Sequence, residues 1–174
     1  MTDLPLEPDL IDFGALPEAV NALLQQGVRA YRHDRAEAGR LFRQALEIAP
    51  AELPVYFCLY KIHTYQGHLG EAQAIAEAGL AEAASQAGWD PDWRNWNPEA
   101  AIKDGPGRFA LYTLKALSFI LLRKDETPPA REMLAALEKL DPSGSTGWPV
   151  VAALADGLHT PPERSPEASG TPLA

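Results

Sequence analysis

Between Val20 and Pro142 the apolar and small residues of the chain recur at helical spacing, in paired stretches separated by short polar turns. The clearest pair is Leu53 to Ala84, LPVYFCLYKIHTYQGHLGEAQAIAEAGLAEAA, which reads as two short helices broken at Gly67. Its second half carries Ala72, Ala76 and Gly79, small residues spaced to let two helix backbones pack closely. Upstream, LLQQGVRAYRHDRAEAGRLFRQALEIAP sets Leu23, Gly27 and Ala30 on a first helix and Ala38, Phe42 and Ala45 on a second, ending at Pro50. Here the turn is one residue short, and Asp34 followed by Glu37 suits a capping box that starts the second helix without a glycine. Downstream, LYTLKALSFILLRKDETPPAREMLAALEKLDP repeats the scheme with Leu114, Leu117, Leu121, Ala130, Leu134, Leu137 and Pro142.

This arrangement resembles the tetratricopeptide repeat (TPR), a helix-turn-helix unit of about 34 residues with the pattern W-x2-L-G-x2-Y…A-x3-F…P. In the central stretch Tyr56 and Leu59 stand where W and L belong, Tyr60 replaces the close-packing Gly, and His63 takes the Tyr position. The resemblance implies an all-α fold, a TPR-like α-solenoid of three helix-turn-helix repeats beginning near Val20, Leu53 and Leu111. A C-terminal capping helix follows, in which Trp148 and Val151 restart the first-helix spacing without a second helix after them. About three repeats are the usual minimum for an array stabilised by neighbour-on-neighbour stacking, and outer repeats need a solvating face.

The repeat domain is expected over residues 16–158, between an acidic N-terminal tail at 1–15 and a compositionally disordered C-terminal tail at 159–174. The N-terminal tail holds Leu4, Leu6, Leu10, Ile11 and Phe13 among acids, as a mobile tail or strap, or as an internal pseudo-ligand for a groove. Register is lost at 85–108, a Trp-rich insertion between the second and third repeats. If DPDWRNW is helical, Trp89, Trp93 and Trp96 share one side of it. Two roles stay open: the indoles plug the gap beyond a helix ending near Ala87, or Trp93 and Trp96 form an exposed recognition element.

Composition narrows the function. At 174 residues and 46% hydrophobic the chain has enough apolar matter for one core-bearing domain. Its net charge of -9 argues against nonspecific binding to nucleic acid or to an anionic membrane, either of which needs a basic footprint. A single cysteine, Cys58, rules out an intramolecular disulfide, the N-terminus lacks the pattern of a signal peptide, and no stretch reaches 18 apolar residues. A cytoplasmic protein is expected.

Catalytic motifs are lacking: there is no GxGxxG, GxxxxGK[ST], HExxH, CxxC or GxSxG. His63 and His68, five residues apart, do not share a helix face, so no metal site is expected, and no cofactor. Cys58 and His63 lack an orienting acid, which argues against a nucleophile. The expectation is therefore a non-enzymatic binding protein.

In TPR proteins the first helices line a concave groove, and the resemblance carries those positions onto Asn21, Leu24, Val28, Tyr31 and Arg32, then Pro54, Phe57, Lys61, Thr64 and Tyr65, then Tyr112, Lys115, Phe119, Leu122 and Arg123. The set holds aromatics and cations but no carboxylate, although the chain as a whole is acidic. A protein or peptide with acidic side chains and apolar anchors suits such a lining. The plainer alternative is that the cations solubilise an open helix face. The carboxylate clamp of the chaperone-binding TPR proteins needs Lys and Asn where this chain has Leu24, Val28 and Cys58, so the tails of the large heat-shock chaperones are not expected as partners.

Two narrower resemblances bear on biology. Three repeats on a small acidic chain look like the chaperones of bacterial translocator subunits, which lack such a Trp-rich insertion. The run LPVYFCLYKIHTYQG followed by DWRNW looks more like small TPR proteins encoded among bacterial nitrogen-fixation genes, implying an accessory role beside nitrogenase or its maturation machinery. Against the adaptor reading stands a self-associating structural module, with a homodimer formed through the Trp insertion or the terminal cap.

Overall fold

The computed structural model describes residues 15–98 and 105–159. The expected tails at 1–15 and 159–174 therefore lie almost wholly outside the described residues. Within them the chain is all-α, with no strand: α1 (Glu18–Tyr31), α2 (Arg35–Ile48), α3 (Leu53–Tyr65), α4 (Leu69–Ala87), a 3-10 turn at Trp93–Asn95, α5 (Gly105–Arg123), α6 (Thr127–Leu140) and α7 (Trp148–His159). Each helix packs on the next, and α3 also touches α5, as α5 touches α7. Helices α1 to α6 stand at the predicted places, with α5 starting ahead of Leu111, and α4 packs on α5 as extensively as on α3.

Three short turns close the three pairs by different means. Asp34 caps α2 by accepting the Glu37 N–H at 3.0 Å. The capping box is only half made, because the Glu37 carboxylate instead takes two bonds from Arg40, at 2.6 and 2.7 Å. Gly67 turns between α3 and α4 at φ +78°, and Asp125 takes the matching left-handed position between α5 and α6 at φ +61°. Asp tolerates that region better than most residues with a Cβ. Prolines set the starts of α3 and α6, where a missing N–H leaves no helical bond unmade.

The core forms two clusters that meet at α3. One joins Val20, Leu24 and Val28 of α1 to Phe42 of α2 and to Val55, Leu59 and Ile62 of α3. The other joins Leu53 and Tyr60 to α4, α5, α6 and the inner side of α7, Val151 and Ala155. Central α3 is accordingly buried around most of its circumference. Fully burying each large apolar side chain contributes about 1.5–3 kcal/mol, so Leu24, Phe42, Leu59, Leu114, Leu117 and Leu137 are principal anchors. Gly79 of α4 lies where a Cβ would meet the Tyr56 side chain at 2.9 Å, the close approach its spacing predicts.

The Trp-rich insertion departs from the sequence expectation. DPDWRNW makes only the single turn Trp93–Asn95, which Asp92 starts by accepting the Arg94 N–H at 3.0 Å and which ends at Trp96, where the backbone is extended. The indoles nonetheless converge. Trp96 Nε1 donates to the Asp90 carbonyl at 2.7 Å, and the Trp89 and Trp96 rings lie 5.0 Å apart. Arg94 sits 4.4 Å from the Trp93 ring centre and is bonded to Glu132 of α6 at 2.7 Å, strapping the segment down.

The terminal helix also differs from a purely solvating cap. It packs Val151 and Ala155 inward but leaves Val150 68% and Leu154 49% exposed, one helical turn apart. Its start is held by Asp141 of the preceding loop. The Asp141 carboxylate accepts the N–H and hydroxyl of Thr146 at 2.9 and 2.8 Å and those of Ser145 at 3.2 and 2.9 Å, while its carbonyl accepts Trp148 Nε1 at 2.6 Å.

Candidate functional site

The predicted groove residues divide between surface and core. Leu24 is fully buried in the α1/α2/α3 core and lines no groove; Val28 and Leu122 are buried too. Trp93 and Trp96 are also buried, packed with α4 and α5, which leaves them as gap-fillers and removes them from any exposed recognition element. Both corrections have one cause: helical spacing locates a side chain on a face but does not say which faces meet a neighbour.

Tyr31, Phe57, Lys61 and Tyr65 do come together, lining a small recess between α1 and α3 with Val28, Phe42, Cys58 and Ile62. Tyr65 is 45% exposed at its rim, and Arg35 lies 5.1 Å from the Tyr31 ring centre. Arg32 is exposed at the end of α1. On α5, Tyr112 is exposed and flanked by two cations, Lys115 at 4.6 Å and Arg108 at 5.5 Å from the ring centre. Lys61 in turn stands 4.8 Å from the centre of the Phe57 ring. Phe119 is half-buried against the larger core, and Arg123 donates to the Thr64 carbonyl at 2.8 Å, so it ties α5 to α3.

Lys61 and Lys115 define the electrostatics of this face. Burial lowers the pKa of both, and Lys115 is lowered further by the charge of Lys61. No carboxylate pairs with either among the described residues; each rests on an aromatic ring of its own helix instead. Burial also pushes Cys58 up to about 12, so its thiolate fraction at neutral pH is negligible and nucleophilic chemistry there is disfavoured.

A second cluster escaped the spacing argument. His63 and His68 are not on one helix: α3 ends at Tyr65, the chain turns at Gly67, and His68 sits at the N-cap of α4. The turn brings their Nδ1 atoms to 3.4 Å and sets the Glu71 carboxylate 3.3 Å from His63 Nδ1. His63 is buried, while His68 and Glu71 are exposed. Desolvation lowers the pKa of His63; Glu71 opposes this, and His68 and Arg43 add to it. The cluster opens on a shallow cleft also lined by Arg35, Arg43, Ile62 and Gln66. The signal available in the sequence was the turn at Gly67 between the two histidines.

No helix among the described residues is long and apolar enough to cross a membrane. Comparison with protein-family models, with curated proteins and with solved structures gives no match to this chain.

Proposed function

We propose that this chain is a non-enzymatic helical-repeat adaptor of TPR type. Its first-helix face, α1, α3 and α5, binds a protein segment that presents acidic side chains beside apolar anchors. One observation carries the reading: Lys61 and Lys115, on successive first helices, are half-buried and unmatched by any carboxylate among the described residues, with exposed Tyr65 and Tyr112 beside them. Partly desolvated ammonium groups gain from an incoming carboxylate through charge-assisted hydrogen bonds, and tyrosines contribute rigid apolar contact area. A solubilising surface would keep its lysines in full contact with water.

The test is affinity capture from native cytoplasm by wild type and by the Lys61→Glu, Lys115→Glu double variant. A captured protein is then mapped to a segment and titrated as a synthetic peptide. An acidic segment held by wild type and lost by the double variant supports the reading, and equal retention overturns it. Arg123 is left in place because its bond to Thr64 makes its reversal a structural change as well.

A second reading is self-association through the terminal helix, favoured by the exposed Val150 and Leu154. A dimer in light scattering that dissociates in the Val150→Glu, Leu154→Glu variant would support it.

A further inference from the structure

The His63, His68 and Glu71 cluster lies apart from the lysine face and is built from three residues whose side chains bind metals. Two distances decide what it is suited to. An N–H···N hydrogen bond between the histidines would favour about 3.0 Å, and a charge-assisted bond to Glu71 about 2.7–2.9 Å. The Nδ1···Nδ1 separation is 3.4 Å and the Nδ1···Oε2 separation 3.3 Å, both too long for good direct bonds. Two ligands about 2.0–2.1 Å from one tetrahedral ion stand roughly 3.3–3.4 Å apart, which is the spacing of the two pairs that include His63. The three ligand atoms all lie within 4.8 Å of one another.

The chemistry of the donors agrees with the spacing. Two neutral imidazoles and one carboxylate are a borderline-soft set suited to zinc and its neighbours rather than to calcium or magnesium, which take oxygen ligands.

We propose that His63, His68 and Glu71 form a three-ligand site for a zinc-class divalent ion, linking the end of α3 to the first turn of α4. Three protein ligands would leave the fourth tetrahedral position open, and the three ligands line the same cleft as Arg35 and Arg43. Those guanidinium groups favour water as hydroxide, or an anionic group, in that position. Because the ion would bridge two helices of one hairpin, it also restrains the Gly67 turn.

The test uses the full chain, freed of metal by chelation, and cobalt(II) and zinc(II) as probes. Wild type is expected to bind about one equivalent of cobalt with tetrahedral absorption and without a sulfur-to-cobalt charge-transfer band, which sets the site apart from Cys58. Zinc should displace the cobalt and move the imidazole NMR signals of His63 and His68 but not those of His33. His68→Ala and Glu71→Gln change exposed side chains, so both should keep the wild-type helical content. Each should lose at least about 10-fold in affinity, since even indirect partners of a metal ligand contribute about 10–100-fold. Absence of saturable binding, affinity unchanged in both variants, a sulfur band, or imidazole signals that stay in place would each overturn the proposal.

Discussion

A methyl group placed on Gly27 would stand 2.3 Å from Cε1 of Phe42, closer than any real contact. Gly27 on α1 is thus the position at which α2 seats its largest buried side chain, and Phe42 is only 2% exposed. Replacing an interior helical glycine by alanine ordinarily stabilises by up to about 1 kcal/mol. At Gly27 the clash should outweigh that gain, and Gly27→Ala is expected to destabilise by about 1–3 kcal/mol. Gly70→Ala, in α4 with open space around it, should be neutral or stabilising. Chemical denaturation of the two variants side by side checks the pair, and a stable Gly27→Ala chain would mean the helices are not locked at this point.

The small residue at Gly79 was legible in the sequence as a point of close helix packing, but its partner Tyr56, and the seating of Phe42 on Gly27, were not. The helix pairs were legible because apolar periodicity, Gly67, Asp34 and the prolines are local signals. What needed three dimensions was which faces touch. Leu24 and Tyr31 are both plausible surface positions on α1, yet one is sealed by α2 and α3 while the other edges a recess. The histidine cluster was hidden because residue counting assumes one continuous helix, and the chain turns between His63 and His68.

Asp141 is the polar counterpart of the Gly27 contact. It is 6% exposed, and although burial acts to raise its pKa, the donors of Thr146 and Ser145 outweigh this and hold it below the usual carboxylate range. A folded-state pKa below the unfolded one means that the carboxylate contributes stability fully above about pH 4, and that this is lost as pH falls further. Asp141→Ala leaves the Thr146 N–H and hydroxyl without their acceptor, each at about 1–3 kcal/mol, so a loss of at least about 2 kcal/mol is expected. The variant should also lose the acid-linked part of the stability profile. Thermal melts from pH 6 to pH 2.5 decide it: parallel wild-type and variant curves would show that Asp141 does not titrate as argued.

The tryptophans should behave as structure. Trp96→Phe keeps most of the bulk and loses the bond from Nε1 to the Asp90 carbonyl, a cost of about 1 kcal/mol, whereas Trp96→Ala should cost about 3–5 kcal/mol. Neither substitution should change the mass in solution, because the ring is turned inward. A variant of wild-type stability with altered oligomeric state would restore the indole as a recognition element.

The lysine face makes the opposite prediction, that removing charge helps the fold and harms the function. Lys61 and Lys115 are both lowered in pKa by burial, and Lys115 also by its neighbour, so in the free protein each is held in surroundings that disfavour its charge. Methionine matches the length of the lysine stem and needs no hydration. Lys115→Met should therefore raise stability, by about 0.5–1 kcal/mol, in the manner of substitutions that relieve strain kept for binding. The same variant should weaken the acidic partner, and wild-type binding should itself weaken as salt is raised. Denaturation midpoints and peptide titrations on one preparation separate the cases. A variant less stable than wild type would mean that Lys115 serves the fold through the Tyr112 ring, and the adaptor reading would lose the observation that carries it.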